Sequence, residues 1–227
     1  MSSSDYGYKE YEKEAKQNAS LTNFFGNKEA WKEKYLSPII KTKDWDLITD
    51  ELGKEGHTNI FQTKFFTKAF GQDIINLAEK SNCWTQKRHE FYPTTDMLLE
   101  SINMNSTYEE ILKEYLYPWA IYLWELEGKT WKALYGESFL IKYNTNKQAH
   151  LSLHHDYSIF TGLTTLNDEY EEGGTYFKKQ KICVNPSIGT MCLHPGNVTH
   201  KHGARPITSG TRYVIVSFIR SKEPYAE

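Results

Sequence analysis

Leu193 to Phe218 reads LHPGNVTHKHGARPITSGTRYVIVSF, and its punctuation decides the fold. Pro195-Gly196 closes one short apolar run, Gly189–His194. A second run, Thr211–Ile219, is rich in β-branched and aromatic residues that suit a pleated, half-buried surface. Towards the amino terminus the pattern recurs in Ser138–Asn144, His150–Asp156, Phe160–Leu166, Gly174–Lys179 and Ile182–Asn185. Gly173-Gly174 and Asn185-Pro186 mark turns between them. Short strands at this spacing predict an α+β fold: a double-stranded β-helix, or jelly roll, over 138–221, with supporting helices packed on one face.

Residues 29–137 supply that helical and mixed support. Lys68 to Ser81 sets Ala69, Phe70, Ile74, Leu77 and Ala78 on one helical face. Ser106 to Glu125 opens with STYE, where Ser106 can cap and Glu109 can reach back. Its stripe of Ile111, Leu112, Tyr115, Leu116 and Trp119 reads as a face packed on the sheet, and Pro118 predicts a kink or a division. Residues 1–28 read as a polar arm, leaving 29–227 as a single domain.

A chain of 227 residues buries a core without staples. A net charge of −2 with no basic run gives no case for nucleic acid. No stretch approaches a membrane span, and the first residues lack the apolar centre of a secretory signal. Cys83, Cys183 and Cys192 do not make a disulfide framework, and the sequence leaves one bridge and the redox compartment open.

The chemistry centres on His154-His155-Asp156. His154 and Asp156 are two apart, so on a strand both leave the same face and can grip one ion. A third imidazole from His202 completes a 2-His-1-carboxylate facial triad, the ligand set of non-haem Fe(II) oxygenases. His194 and His200 are rivals: His194 ends a strand, while His200 shares the parity of His202 and spacing does not separate them. His155 points to the other face and reads as structural. Arg212, ten residues after His202, brings a planar, permanently charged fork suited to the carboxylate of a cosubstrate such as 2-oxoglutarate. Singly, His154 is more often an ordinary histidine than a ligand; the strand context, His202 and Arg212 together reverse those odds. A zinc hydrolase needs no such cation and brings a Glu base. A non-catalytic binding or dimerisation module has little reason to keep both triad and Arg.

Leu193–Phe218, with YNTNKQAHLSLHHD (Tyr143 to Asp156) and EEGGTYF (Glu171 to Phe177), resembles the carboxy-terminal catalytic domain of procollagen lysyl hydroxylases. WKEKYLSP (Trp31 to Pro38), RHE (Arg88 to Glu90) and YPTTDM (Tyr92 to Met97) echo it upstream, so the likeness spans roughly 30–220. The resemblance implies His154, Asp156 and His202 as iron ligands, which favours His202 over His200. It also implies Arg212 on the cosubstrate carboxylate and Tyr143 beside the cosubstrate. It implies Fe(II), 2-oxoglutarate and ascorbate, and hydroxylation of the lysine δ-carbon in a collagen-like X-Lys-Gly peptide, with release of succinate and CO2. Family members are long multidomain proteins of the endoplasmic reticulum lumen with this domain last, and a homodimer is compatible with the resemblance. Prolyl hydroxylation is the runner-up; prolyl enzymes often hold the distal carboxylate with lysine, so Arg212 favours lysine as substrate. Two departures stand out: the loop Asn167–Glu172 is shorter than in the family, and Leu163 stands where the family tends to carry asparagine. The acidic run Asp168-Glu169-Tyr170-Glu171-Glu172 reads as a solvated loop, or as an acidic lip for a basic peptide.

Overall fold

The computed structural model describes residues 20–53, 57–89, 91–126 and 133–222. Its strands are β1 (Asp50–Glu51), β2 (Phe61–Lys64), β3 (Asp96–Leu98), β4 (Leu134–Asn144), β5 (Phe160–Thr165), β6 (Tyr170–Glu172), β7 (Thr175–Phe177), β8 (Ile182–Val184), β9 (Thr190–Pro195), β10 (His202–Ala204) and β11 (Ile207–Ser221). The larger sheet runs β1-β2-β9-β5-β11-β4-β3, with β6 paired to the start of β11. The smaller runs β10-β7-β8, and every pairing is antiparallel. The chain is therefore α+β, antiparallel sheets with helices.

Strand parity sorts the larger sheet into two different faces. Leu140, Ile215 and Ile219 join a core with the helices, while Phe139, Ile141, Tyr143, Leu163, Val214 and Val216 meet Ala204 of the smaller sheet. The helical face is covered by α1 (Lys28–Tyr35), α2 (Lys68–Ser81) and α3, through Trp31, Phe70, Tyr108 and Trp119. Helix α3 joins Asn105–Ile111, a π-helical turn Leu112–Leu116, and Tyr117–Trp124. Gly71 of α2 rests on β5's end so closely that a Cβ would stand 2.2 Å from Leu166 O.

Helix α2 has the expected bounds, but α3 corrects the expected cap. It starts at Asn105 with no side-chain cap, and Glu109 accepts from Tyr117 Oη at 3.0 Å. Pro118 does mark a division: it stands in the first turn of Tyr117–Trp124, just after the π-helical turn in which Tyr117 N–H bonds back to Leu112 O.

His150–Asp156 is not a strand. Leu151 N–H bonds Ala204 O, and His154 forms an isolated bridge with His202, so three steps on one chain oppose two on the other. That surplus residue breaks the ladder, as in a β-bulge.

Residues 1–19 of the expected arm lie outside the described residues. The described part packs: Leu21 and Phe24 are buried, and Trp31 Nε1 donates to Leu21 O at 2.8 Å. All three cysteines are free, and among the described residues no helix is long and apolar enough to cross a membrane.

Candidate metal centre

Between the two sheets lies a cavity of about 160 Å³, walled by Phe139, Ile141, Leu163 and Val216 of the larger sheet and by Thr175 and Ala204 of the smaller. His154, Asp156 and His202 meet in it, each offering a donor atom within 4.8 Å of the others. His154 Nε2 is 3.2 Å from Asp156 Oδ1, and His202 Nε2 is 3.5 Å from Oδ2. The bridge sets the two histidines side by side: His154 N–H donates to His202 O at 2.8 Å, and His202 N–H to His154 O at 2.9 Å. Gly203 lets the loop approach, since a Cβ there would stand 2.6 Å from Leu151 O. Asp156 is fixed by Asn197 N–H on its carbonyl at 2.8 Å and by Thr161 Oγ1 donating to Oδ2 at 2.7 Å.

Hydrogen bonds decide the tautomers. His154 Nδ1 lies 2.8 Å from Ser152 O and His202 Nδ1 lies 2.9 Å from His200 O. A carbonyl only accepts, so Nδ1 carries the proton and each neutral ring turns its Nε2 lone pair towards Asp156. Two lone pairs and a carboxylate converging in this way repel one another unless a cation sits among them. The donor set thus fits a divalent metal.

The titration directions agree. Burial alone would raise the Asp156 carboxyl, but His202, His154 and His194 outweigh it and hold it well below the usual carboxylate range. Burial would lower His154, yet its hydrogen bond and charge attraction to Asp156 raise it. Burial lowers His202.

The rival histidines separate on their partners. His200 uses both nitrogens, Nε2–H on Thr58 O and Nδ1 accepting from Thr199 Oγ1, each at 2.8 Å. His194 Nδ1–H donates to Pro195 O at 2.8 Å, and its Nε2 stands 4.0 Å from Asp156 Oδ2, outside the converging group. Burial, with His202 beside it, pushes His194 down to about 3, so it is neutral. His155 is exposed at the cavity mouth.

Arg212 lies on the cavity side of β11, opposite Tyr143 of β4 and 1% exposed. Its fork makes two long hydrogen bonds, to Gly174 O at 3.4 Å and Thr175 Oγ1 at 3.5 Å, and its Nε has no partner. Among the described residues no carboxylate pairs with it. The guanidinium stands 5.6 Å over the ring of Tyr143, whose hydroxyl burial pushes up to about 12. A buried, uncompensated guanidinium calls for an anion.

The acidic run is elsewhere, which corrects the expectation of an acidic lip. Tyr170–Glu172 form β6 against Ile207–Gly210, at the end of β11 away from Phe218 and the mouth. None of Asp168 to Glu172 lines the cavity. Sequence reasoning missed Thr161, which steadies Asp156, and Tyr92, whose ring lies 5.1 Å from that of His154. It also missed Asp96, buried on the same sheet face as Ile141 and paired with Arg88 at 2.8 Å. The motif segments Arg88–Glu90 and Tyr92–Met97 were the signal available for the last two; Glu90 lies outside the described residues.

No family model matches the chain. Over 212 residues it is 31% identical to procollagen-lysine,2-oxoglutarate 5-dioxygenase 1 of Mus musculus, covering 88% of this chain and 28% of that protein. The chain resembles the procollagen lysyl hydroxylases. It is also 30% identical over 211 residues to the procollagen lysyl hydroxylase and glycosyltransferase of Acanthamoeba polyphaga mimivirus, covering 85% of this chain and 23% of that one. The chain thus spans less than a third of the length of these relatives. Among solved structures, a Pseudomonas putida prolyl-4-hydroxylase matches with TM-score 0.55 at 11% identity, over 73% of this chain and 94% of that one. The viral collagen prolyl hydroxylase of Paramecium Bursaria Chlorella virus-1 matches with TM-score 0.51 at 15% identity, over 77% and 97%. These structures share its fold.

Proposed function

We propose that this chain is an Fe(II)- and 2-oxoglutarate-dependent dioxygenase that hydroxylates lysine in collagen-like X-Lys-Gly peptides, sustained by ascorbate. The observation that carries the reading is Arg212, a buried guanidinium without a carboxylate partner among the described residues, packed behind Tyr143 and Thr175, which line the cavity that holds His154, Asp156 and His202. We read the two sheets as the halves of a jelly roll in one domain from 29 onward, with the reaction between them.

Bound iron and 2-oxoglutarate supply oxidative chemistry that converts a substrate C–H to C–OH with release of succinate and CO2. His154, Asp156 and His202 would hold the ion. Arg212 receives the distal carboxylate beside Tyr143, and the aliphatic and aromatic walls exclude water from the reacting atoms.

One observation favours a second reading. Asp156 is the only carboxylate residue lining the cavity among the described residues, and the triad uses it. A substrate ammonium therefore finds no free anion there, which suits a neutral target such as proline. The deciding experiment incubates the protein with Fe(II), 2-oxoglutarate, ascorbate and parallel lysine- and proline-containing collagen-like peptides. Mass spectrometry should find one added oxygen on the lysine peptide, matched by succinate. Oxygen on the proline peptide alone moves the chain to the second reading, and no succinate with either peptide overturns both.

A further inference from the structure

We infer that the metal cavity continues past Tyr157 into a second subsite, which takes a main-chain carbonyl of the residue next to the modified one in an extended peptide. The inference rests on the proposed hydroxylase reading. A second hollow of about 240 Å³ is lined by Tyr135, Ser158, Asn197 and Arg220, and Tyr157 lines both it and the metal cavity. Tyr157 directly follows Asp156 in sequence, and 83% of it is exposed, so its ring is open to a chain that spans the two hollows.

The surface around the two hollows is unusually apolar. Seven large hydrophobic side chains stand exposed among the described residues. Four of them, Phe91, Tyr92, Tyr157 and Val198, line a hollow or directly adjoin a residue that does. Exposed apolar groups concentrated in one place mark a binding surface.

The second hollow specifies what it accepts. Arg220 donates through Nε to Tyr157 O at 3.0 Å and through Nη1 to Glu137 Oε2 at 3.1 Å. Glu137's other oxygen takes Arg88 at 2.8 Å, and Arg88 also pairs with Asp96. This row of two cations and two anions is neutral, yet Arg220 Nη2 and the side-chain amide of Asn197 carry no hydrogen bond among the described residues. N–H donors without net charge match the oxygen of a peptide carbonyl better than a carboxylate or phosphate, which would bring an uncompensated charge.

The test uses two variants at exposed positions, Tyr157→Ala and Asn197→Gly. Glycine keeps the left-handed backbone of Asn197, whose φ is 55°. Fluorescence anisotropy with a labelled peptide of three X-Lys-Gly repeats, in the presence of Mn(II) and 2-oxoglutarate, should show affinity about five- to tenfold weaker in each variant. Lysine amide, competed against the labelled peptide, carries no carbonyl of a neighbouring residue and should lose far less. Equal loss for both ligands, or no loss for the long peptide, overturns the second subsite. No binding of the long peptide to the wild-type chain overturns it together with the hydroxylase reading. Succinate is scored separately on the wild type: a chain that binds through the subsite and forms no succinate loses the hydroxylase reading alone.

Discussion

Asp156 keeps a negative charge at 4% exposure, a position where an unpaired carboxylate would take up a proton. The imidazoles around it supply the compensation, and of these only His154 and His202 point a bare nitrogen into the converging group. Manganese titration by calorimetry should therefore separate the histidines. His202→Ala is expected to weaken the ion by more than about 100-fold, beyond the range of an outer-sphere loss, while His200→Ala stays within about tenfold. Equal losses would return His200 to the ligand set. If Arg212 anchors the cosubstrate as proposed, Arg212→Ala should weaken 2-oxoglutarate by about 2–5 kcal/mol while manganese affinity barely changes. Equilibrium binding of each, measured separately, checks that split. The convergence of His154, Asp156 and His202 could be anticipated from the chain because metal-ligand chemistry is tied to residue type and spacing. The choice between His200 and His202 could not, since it turns on Thr58, a carbonyl from a distant loop that occupies His200 Nε2.

At the scale of elements, α1 and α3 are tied by charge as well as by packing. Lys32 and Lys43 reach Glu114 of α3's π-helical turn, Lys32 at 2.8 Å and Lys43 at 3.2 Å. Burial would raise the Glu114 carboxyl, but the two lysines outweigh it and lower its pKa. A carboxylate with a depressed folded-state pKa stabilises fully above the ordinary carboxylate range and loses that contribution as pH falls through its folded value. Glu114→Gln should cost ~1 kcal/mol at neutral pH and nothing once acid has protonated the native carboxyl. Urea unfolding of both proteins at neutral and acid pH reads the difference; a gap that persists in acid assigns the loss to packing. Helix α2 was legible to its ends because its apolar face repeats cleanly and nothing interrupts it. Helix α3 was legible as a helix but not in its middle, where the response of the backbone to Pro118 is a matter of hydrogen-bond spacing. Strand β10 escaped notice because three residues, His202 to Ala204, carry too little alternation to register. The segment 150–156 looked like a strand since its composition suits one, and only the mismatch in count against β10 prevents it.

Across the whole molecule, the two sheets divide the labour. The larger carries Arg212 and most of the apolar wall, the smaller carries His202, and the 150–159 loop brings His154 and Asp156 between them. No residue of the acidic strand β6 lines the cavity. Glu171→Gln combined with Glu172→Gln should leave the peptide KM unchanged at low ionic strength, where any steering by those charges would be strongest. A rise in KM on neutralising them would put that strand back beside the substrate. The paired backbone hydrogen bonds between His154 and His202 reach further than geometry. They join the loop to the smaller sheet without using an ion as a partner, so most of the order of the centre is expected to precede loading. In hydrogen–deuterium exchange on chelator-treated protein, both amides should stay protected well beyond those of the exposed 197–199 turn, with little gain when manganese returns. A centre so arranged would release and regain an ion as a rigid socket, and starvation for metal would leave an idle but intact protein in place of an unfolded one.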